Sequence, residues 1–183
     1  MKLGLRRGTV ALEPHNTEWE RTAMQTIAKL RELLPDVIID AQHIGSTAIK
    51  GISAKPIIDI VIGVADFDDI LSHNDILGKN GFIFREQDIP SQYLYVCGDN
   101  EVRTHHIHAV ICGSAEWNNY INMRDYLNCH KADAQAYSEL KQNLAQQYPN
   151  NRIKYTDMKS SFINDILIKA QKWRKEKNRQ TKI

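Results

Sequence analysis

The chain has 183 residues, 42% hydrophobic and 25% charged, a balance that excludes disordered and fibrous classes at a length near the roughly 150 residues of one ordinary domain. Its formal net charge of +2 is uneven: from Lys169 onward seven Lys or Arg face one Glu, which leaves the preceding residues at −4. A mildly acidic body with a basic tail excludes a dedicated nucleic-acid surface across the fold. Three widely spaced cysteines, Cys97, Cys112 and Cys129, fit neither a disulfide framework nor paired zinc ligands and read as small buried residues. The first residues lack the apolar stretch of a signal peptide. The most apolar segment, 56–65, is interrupted by Asp59 and is too short for a membrane span. A cytoplasmic protein with no membrane partner is expected.

The first helix is marked by Thr17 and Glu20 at capping-box spacing, with Trp19, Ala23, Ile27, Leu30 and Leu34 on one face before Pro35. Residues 37–44 read as a strand ended by Gly45, and the β-branched run 57–64 as a buried strand. A second helix is expected over 67–79, ended at Asn80-Gly81. Strands follow at 82–85, 93–97 and 102–111, the last two joined by a turn at Gly98-Asp99-Asn100. From Ser114 the pattern is helical, near 117–127, 133–148 and 157–175. The last of these carries the stripe Phe162, Ile163, Ile166, Leu167, Ala170 and Trp173. This order predicts a single-domain α+β fold, with a sheet half over about 1–113, a helical C-terminal half over about 114–175 and a basic tail at 176–183.

The segment 43–64, HIGSTAIKGISAKPIIDIVIGV, is the most informative. Glycine lets the backbone approach a ligand closely, and a hydroxyl beside backbone N–H groups can cradle phosphate oxygens. A carboxylate such as Asp59 on a buried strand is costly unless it meets a metal, a proton or a cation. Together these point to a phosphate and Mg²⁺ site. The plainer reading, Gly45-Ser46 as a simple turn and Asp59 as a loop cap, stands equally on these grounds. A P-loop is excluded, because Lys50 precedes Gly51 and a strand, not a helix, follows.

IGSTAIKGISAKPIIDI, followed by THHIHAV, MRDYLNCHKADAQAYSELK and the spacing of Tyr155-Thr156, Lys159 and Phe162, resembles the GrpB family over roughly residues 10–170. The family's members are similar in fold to the nucleotidyltransferase superfamily of the DNA polymerase β and kanamycin nucleotidyltransferase type. The resemblance implies a nucleotidyltransferase-like mixed β-sheet backed by helices, with the helical half closing a cleft. In that superfamily a Gly-Ser turn holds the triphosphate. Two carboxylates one residue apart on the next strand, with a third from a neighbouring strand, hold metal ions. Gly45 and Ser46 match the turn, with the adjoining Thr47 a further phosphate-binding candidate, and Asp59 matches the first carboxylate. The second position is Val61, so a two-metal displacement loses a bridging ligand.

His106 and His108 share one face of an extended strand, with His105 opposite. They can ligate a metal with Asp59 or act as acid or base, and imidazole suits Zn²⁺, Mn²⁺ or Fe²⁺ better than Mg²⁺. Against this stands a histidine that only packs on the helical half. Among the cations Lys55, Arg124 and Lys159 are expected to grip phosphates. Lys159 is expected near a helix N-terminus, against the dipole. Arg124-Asp125 alternatively forms a structural ion pair, Arg103 and Lys141 are further cations, and Tyr155 offers a hydroxyl or a stacking face. Trp19 and Trp117 are expected in the core. The function expected from the resemblance is binding of a small phosphorylated ligand, a nucleotide, with a divalent metal (Mg²⁺ or Mn²⁺, with Zn²⁺ as alternative) and nucleotidyl or phosphoryl transfer. Two other readings stay open: a non-catalytic nucleotide-binding module, and a metal-dependent hydrolase centred on Asp59, His106 and His108.

Overall fold

A computed structural model describes residues 2–180, and the side chains of all of these but 86–89. In chain order the elements are β1 (Leu5–Arg6), α1 (Glu18–Leu33), β2 (Asp40–Ile44), β3 (Ile58–Val64), α2 (Phe67–Leu71), α3 (Asn74–Lys79), β4 (Ile83–Ile89), β5 (Gln92–Gly98), β6 (Val102–Ile111), α4 (Ala115–Cys129), α5 (Lys131–Gln147) and α6 (Arg152–Gln180). The strands form one mixed sheet in the order β2-β3-β6-β5-β4, with β1 added on β6. Only β3 and β6 run parallel, in a register that sets Asp59 beside His106 and Val61 beside His108. The fold is α+β: all strands lie before residue 112, interleaved with α1, α2 and α3, and α4, α5 and α6 follow them.

Alternation along each strand divides the sheet into two faces. On one face Ile58, Ile60, Ile62, Tyr95, Ile107 and Ala109 pack against the Trp19, Ala23, Ile27 and Leu30 face of α1. On the other, Ile44, Val61 and Val110 meet Trp117 of α4. The helical half has its own core, with Tyr126, Leu127, Ala134, Tyr137, Ile166 and Ala170 packed on Ile49 and Ile52 of the β2–β3 connection. That connection therefore lies between sheet and helices, which is where the cleft opens. No helix among the described residues is long and apolar enough to cross a membrane.

Several sequence expectations are corrected. Thr17 is already helical (φ −62°, ψ −23°) and its hydroxyl caps nothing; the Asn16 side-chain oxygen accepts from the Glu18 N–H instead, so no capping box forms. The helix expected over 67–79 is two short helices, broken where Ser72 Oγ donates to Asp69 O and the His73 ring reaches the same carbonyl. The last helix starts at Arg152, five residues before the expected 157, so Lys159 lies in its second to third turn and the dipole argument falls. The same helix continues to Gln180 where a tail was expected from 176; residues 181–183 lie outside the described ones. Cys129 is exposed, and Cys97 and Cys112 are half-buried. The hairpin at Gly98-Asp99-Asn100 forms as expected, with the Asp99 carboxylate accepting from the Glu101 and Val102 N–H groups.

Candidate functional site

The turn after β2 is built around a close approach. Gly45 has φ +69°, a left-handed conformation that favours glycine, and a Cβ there would lie 2.5 Å from Asp59 Oδ2. The Gly-Ser turn is thus pressed against the one carboxylate of β3. Ser46–Ala48 then form a single 3-10 turn. Thr47 is buried, and its hydroxyl is engaged by His43 Nε2 at 2.9 Å, so it contributes to the turn's rigidity.

Asp59 is partly shielded, its side chain 27% exposed, and faces two imidazoles. His106 Nδ1 lies 3.0 Å from Asp59 Oδ1, and His108 Nε2 lies 3.8 Å from the same oxygen. Burial alone would raise the Asp59 pKa, but the hydrogen bond from His106 holds it well below the usual carboxylate range. Tyr120 donates to Gln92 Oε1 at 2.6 Å, so its oxygen is left to accept from His108 Nδ1 at 3.2 Å. That tautomer leaves the His108 Nε2 lone pair turned toward Asp59, as a metal ligand requires. At His106 an Arg152 Nη lies 3.4 Å from Nε2, so the Nδ1 proton goes to Asp59, and a metal bound at Nδ1 would displace it. One ligand atom from each of Asp59, His106 and His108 lies within 4.8 Å of the others. A carboxylate with two imidazoles fits a single divalent ion. The two-ion arrangement has no donor at Val61, which is fully buried with Ile44, Val110 and Trp117.

A cavity of about 270 Å³ opens beside this cluster. Gly45, Ser46, Thr47, Lys55, Asp59, His106, Arg124 and Lys159 all line it, so the sequence-derived candidates converge. His108 stands behind, reached through Asp59. Lys55 and Lys159 lie 5.4 and 4.5 Å from the Tyr155 ring centre; neither ammonium has a hydrogen bond or ion pair among the described residues. The Tyr155 ring is fully buried and its hydroxyl has no partner among the described residues. Lys141, 2% exposed, lies 4.5 Å from the Tyr137 ring centre and donates to Ser53 O. Burial and mutual repulsion push all three lysines down: Lys55 to about 7 with Arg152 and Lys159 as neighbours, Lys141 to about 7 with Lys159 and Lys55, and Lys159 to about 8 with Arg152. Asp59 opposes the shift at Lys55 and Lys159.

Arg124 lines the cavity as a tie between elements. Its guanidinium pairs with Asp125 and donates to Gln42 Oε1 and His43 O at 2.9 and 3.0 Å. Asp125 also holds Arg174 of α6. The structural ion pair weighed from the sequence therefore exists. Three polar lining residues escaped the sequence reading, Arg152, Tyr120 and Tyr137, along with the apolar Ile49, Ile57 and Met123. Tyr120 lies one turn before Arg124, and Tyr137 one turn before Lys141, so helical spacing was a usable signal for both. Arg152, following Asn150-Asn151, carried none.

The chain is thus an α+β protein with a strongly cationic cleft around one Asp-His-His cluster. It belongs to the GrpB family: the family described as GrpB protein matches residues 9–169. A relative from Alkalihalophilus pseudofirmus, "Glutamate-rich protein GrpB", is 37% identical over 170 residues, 90% of this chain and 98% of that one. The crystal structure of conserved protein GrpB from Enterococcus faecalis superposes with a TM-score of 0.84 at 27% identity, covering 90% of this chain and 99% of that one. A far weaker likeness, TM-score 0.49 at 14% identity over 73% of this chain and 44% of the other, is to the Cid1 poly(U) polymerase with MgGTP bound; a likeness at that level carries nothing about activity.

Proposed function

We propose that the cleft binds a nucleotide through its phosphate groups, together with one divalent ion at Asp59, His106 and His108, as a site for phosphoryl or nucleotidyl transfer. The observation that carries this reading is the charge: Lys55, Lys141, Lys159 and Arg152 surround a cavity whose one lining carboxylate among the described residues is Asp59. Crowding four cations is unfavourable in the empty protein and becomes favourable when a polyanion enters. Ser46 and the backbone of the tight turn would cradle phosphate oxygens, and Tyr155 supplies a hydroxyl that lacks a partner among the described residues. The same cavity carries Ile49, Ile57, Met123 and Ile163, an apolar surface that inorganic phosphate does not need and a planar base does.

A divalent ion, when bound, polarises a phosphoryl oxygen and neutralises charge there. The chain's own groups orient the phosphates: Lys55, Lys159 and Arg152 face the cavity, and Asp59, His106 and His108 would hold the ion. The test is calorimetric titration with a nucleoside-triphosphate panel, with and without Mg²⁺ or Mn²⁺, on wild type and Asp59→Asn. Metal-dependent binding that Asp59→Asn weakens at least tenfold is the expected result. Binding indifferent to both metal and substitution supports the non-catalytic module instead, and no binding of any nucleotide overturns the reading.

A further inference from the structure

On the far side of His106 and Arg152 lies a second opening, a groove of about 460 Å³ lined by Arg7, Gly8, Arg103, His106, Arg152 and Asp157 among others. His106 and Arg152 line both spaces, so the two share a wall. Three segments distant in sequence build the groove. Arg103 is the second residue of β6, where Leu5 and Arg6 of β1 pair with Arg103 and Val102. The Arg7 N–H continues that edge by donating to Glu101 O at 2.8 Å. Arg152 is tied in from α6, its N–H donating to Gly8 O at 3.3 Å, while Val10 N–H donates to Pro149 O at 2.7 Å.

None of these three guanidinium groups makes an ion pair among the described residues. Arg103 is 9% exposed, and among the described residues its guanidinium donates only to the Asp99 carbonyl, which carries no charge. Asp157 lines the groove but lies beyond ion-pair distance of all three. Three Arg against one Asp leave the lining at +2, apart from His106. Buried cations are normally paired, and a planar fork fits phosphate oxygens two at a time. A net +2 matches a phosphate monoester dianion and exceeds what a single carboxylate balances.

We propose that this groove binds the phosphate group of a second, acceptor-side substrate, so that the Asp59–His106 pair lies between two anionic ligands. The acceptor role rests on the reading of the cleft above; the anion site itself does not.

Inorganic phosphate titrated calorimetrically into the full chain at low ionic strength tests this, with Arg7→Gln/Arg103→Gln for the groove and Lys55→Gln/Lys159→Gln for the cleft. The wild type is expected to bind two phosphates, and each double variant one. Because Arg103 is largely buried, the exposed Arg7→Gln is measured alone as well, with circular dichroism to confirm folding; it should weaken groove binding about tenfold. Acetate should bind the groove at least tenfold more weakly than phosphate, and equal binding overturns the phosphate assignment. The proposal is overturned if folded groove variants bind phosphate as the wild type does, or if the wild type binds one phosphate that only the cleft variant loses. If only the groove site appears, the reading of the cleft fails while the anion site stands.

Discussion

At Gly45 backbone conformation and site chemistry meet in one residue. Alanine there forces a left-handed backbone, a cost of about 1 kcal/mol, and its Cβ would also displace the Asp59 carboxylate. Gly45→Ala should lower Tm by at least about 3 °C and weaken Mn²⁺ binding by about tenfold or more, measured by differential scanning and titration calorimetry; unchanged Mn²⁺ affinity would contradict the packing described. The lysines make a second residue-scale prediction. Lys55 and Lys141, at about 7, and Lys159, at about 8, each bind a proton more weakly folded than unfolded, where the usual value is 10.5. Between pH 7 and 9 the unfolded chain therefore holds more protons, and stability rises with pH; only well below pH 7 are both states fully charged and the penalty constant. Above pH 9 Cys97, pushed up to about 12 by burial, acts in the opposite direction. Thermal melts from pH 7 to 9 should show Tm climbing, with a shallower slope in Lys141→Met.

Strand β3 tests the missing carboxylate at the scale of an element. Val61 faces the same side as Asp59, but it is packed among Ile44, Val110 and Trp117. Val61→Asp would bury a charge among apolar groups, at a cost of at least about 2 kcal/mol. It should lower the urea midpoint without raising Mn²⁺ stoichiometry above one; two ions bound would show that the site accepts the two-metal arrangement. This strand and β6 were legible from sequence because their β-branched runs and turns are local signals, and the strand pattern of 102–111 coincides with β6. The 67–79 segment was not, because the break depends on Ser72 and His73 competing for one carbonyl. Gly45, Ser46, Lys55 and Asp59 could be read from a single motif, and His106 with His108 from strand alternation. Arg152 and the Arg7–Arg103 groove could not, since they arise where β1, β6 and α6 converge, and no local spacing encodes that meeting.

At the scale of the molecule the cleft is bounded by the sheet on one side and by α4, α5 and α6 on the other. An anion held there links Lys55 before β3 to Lys141 of α5 and Lys159 of α6. Ligand at 100 times its Kd stabilises by about 2.7 kcal/mol, a rise in Tm of roughly 5–10 °C for a chain of this size. Amide exchange should slow in 137–141 and 152–163 on addition of pyrophosphate, and slowing confined to α1 or β4 would contradict a cleft-bound anion. The most direct test of the central claim is titration of a nucleoside triphosphate at pH 8, with metal saturating beforehand, in Tris and in HEPES, whose ionisation heats differ. An anion that completes the charging of three depressed lysines must take up protons, so the two buffers should report binding with uptake of at least one proton, lost in Lys55→Gln/Lys159→Gln. Binding with no proton uptake, or uptake unchanged in that variant, would contradict a lysine-lined phosphate site.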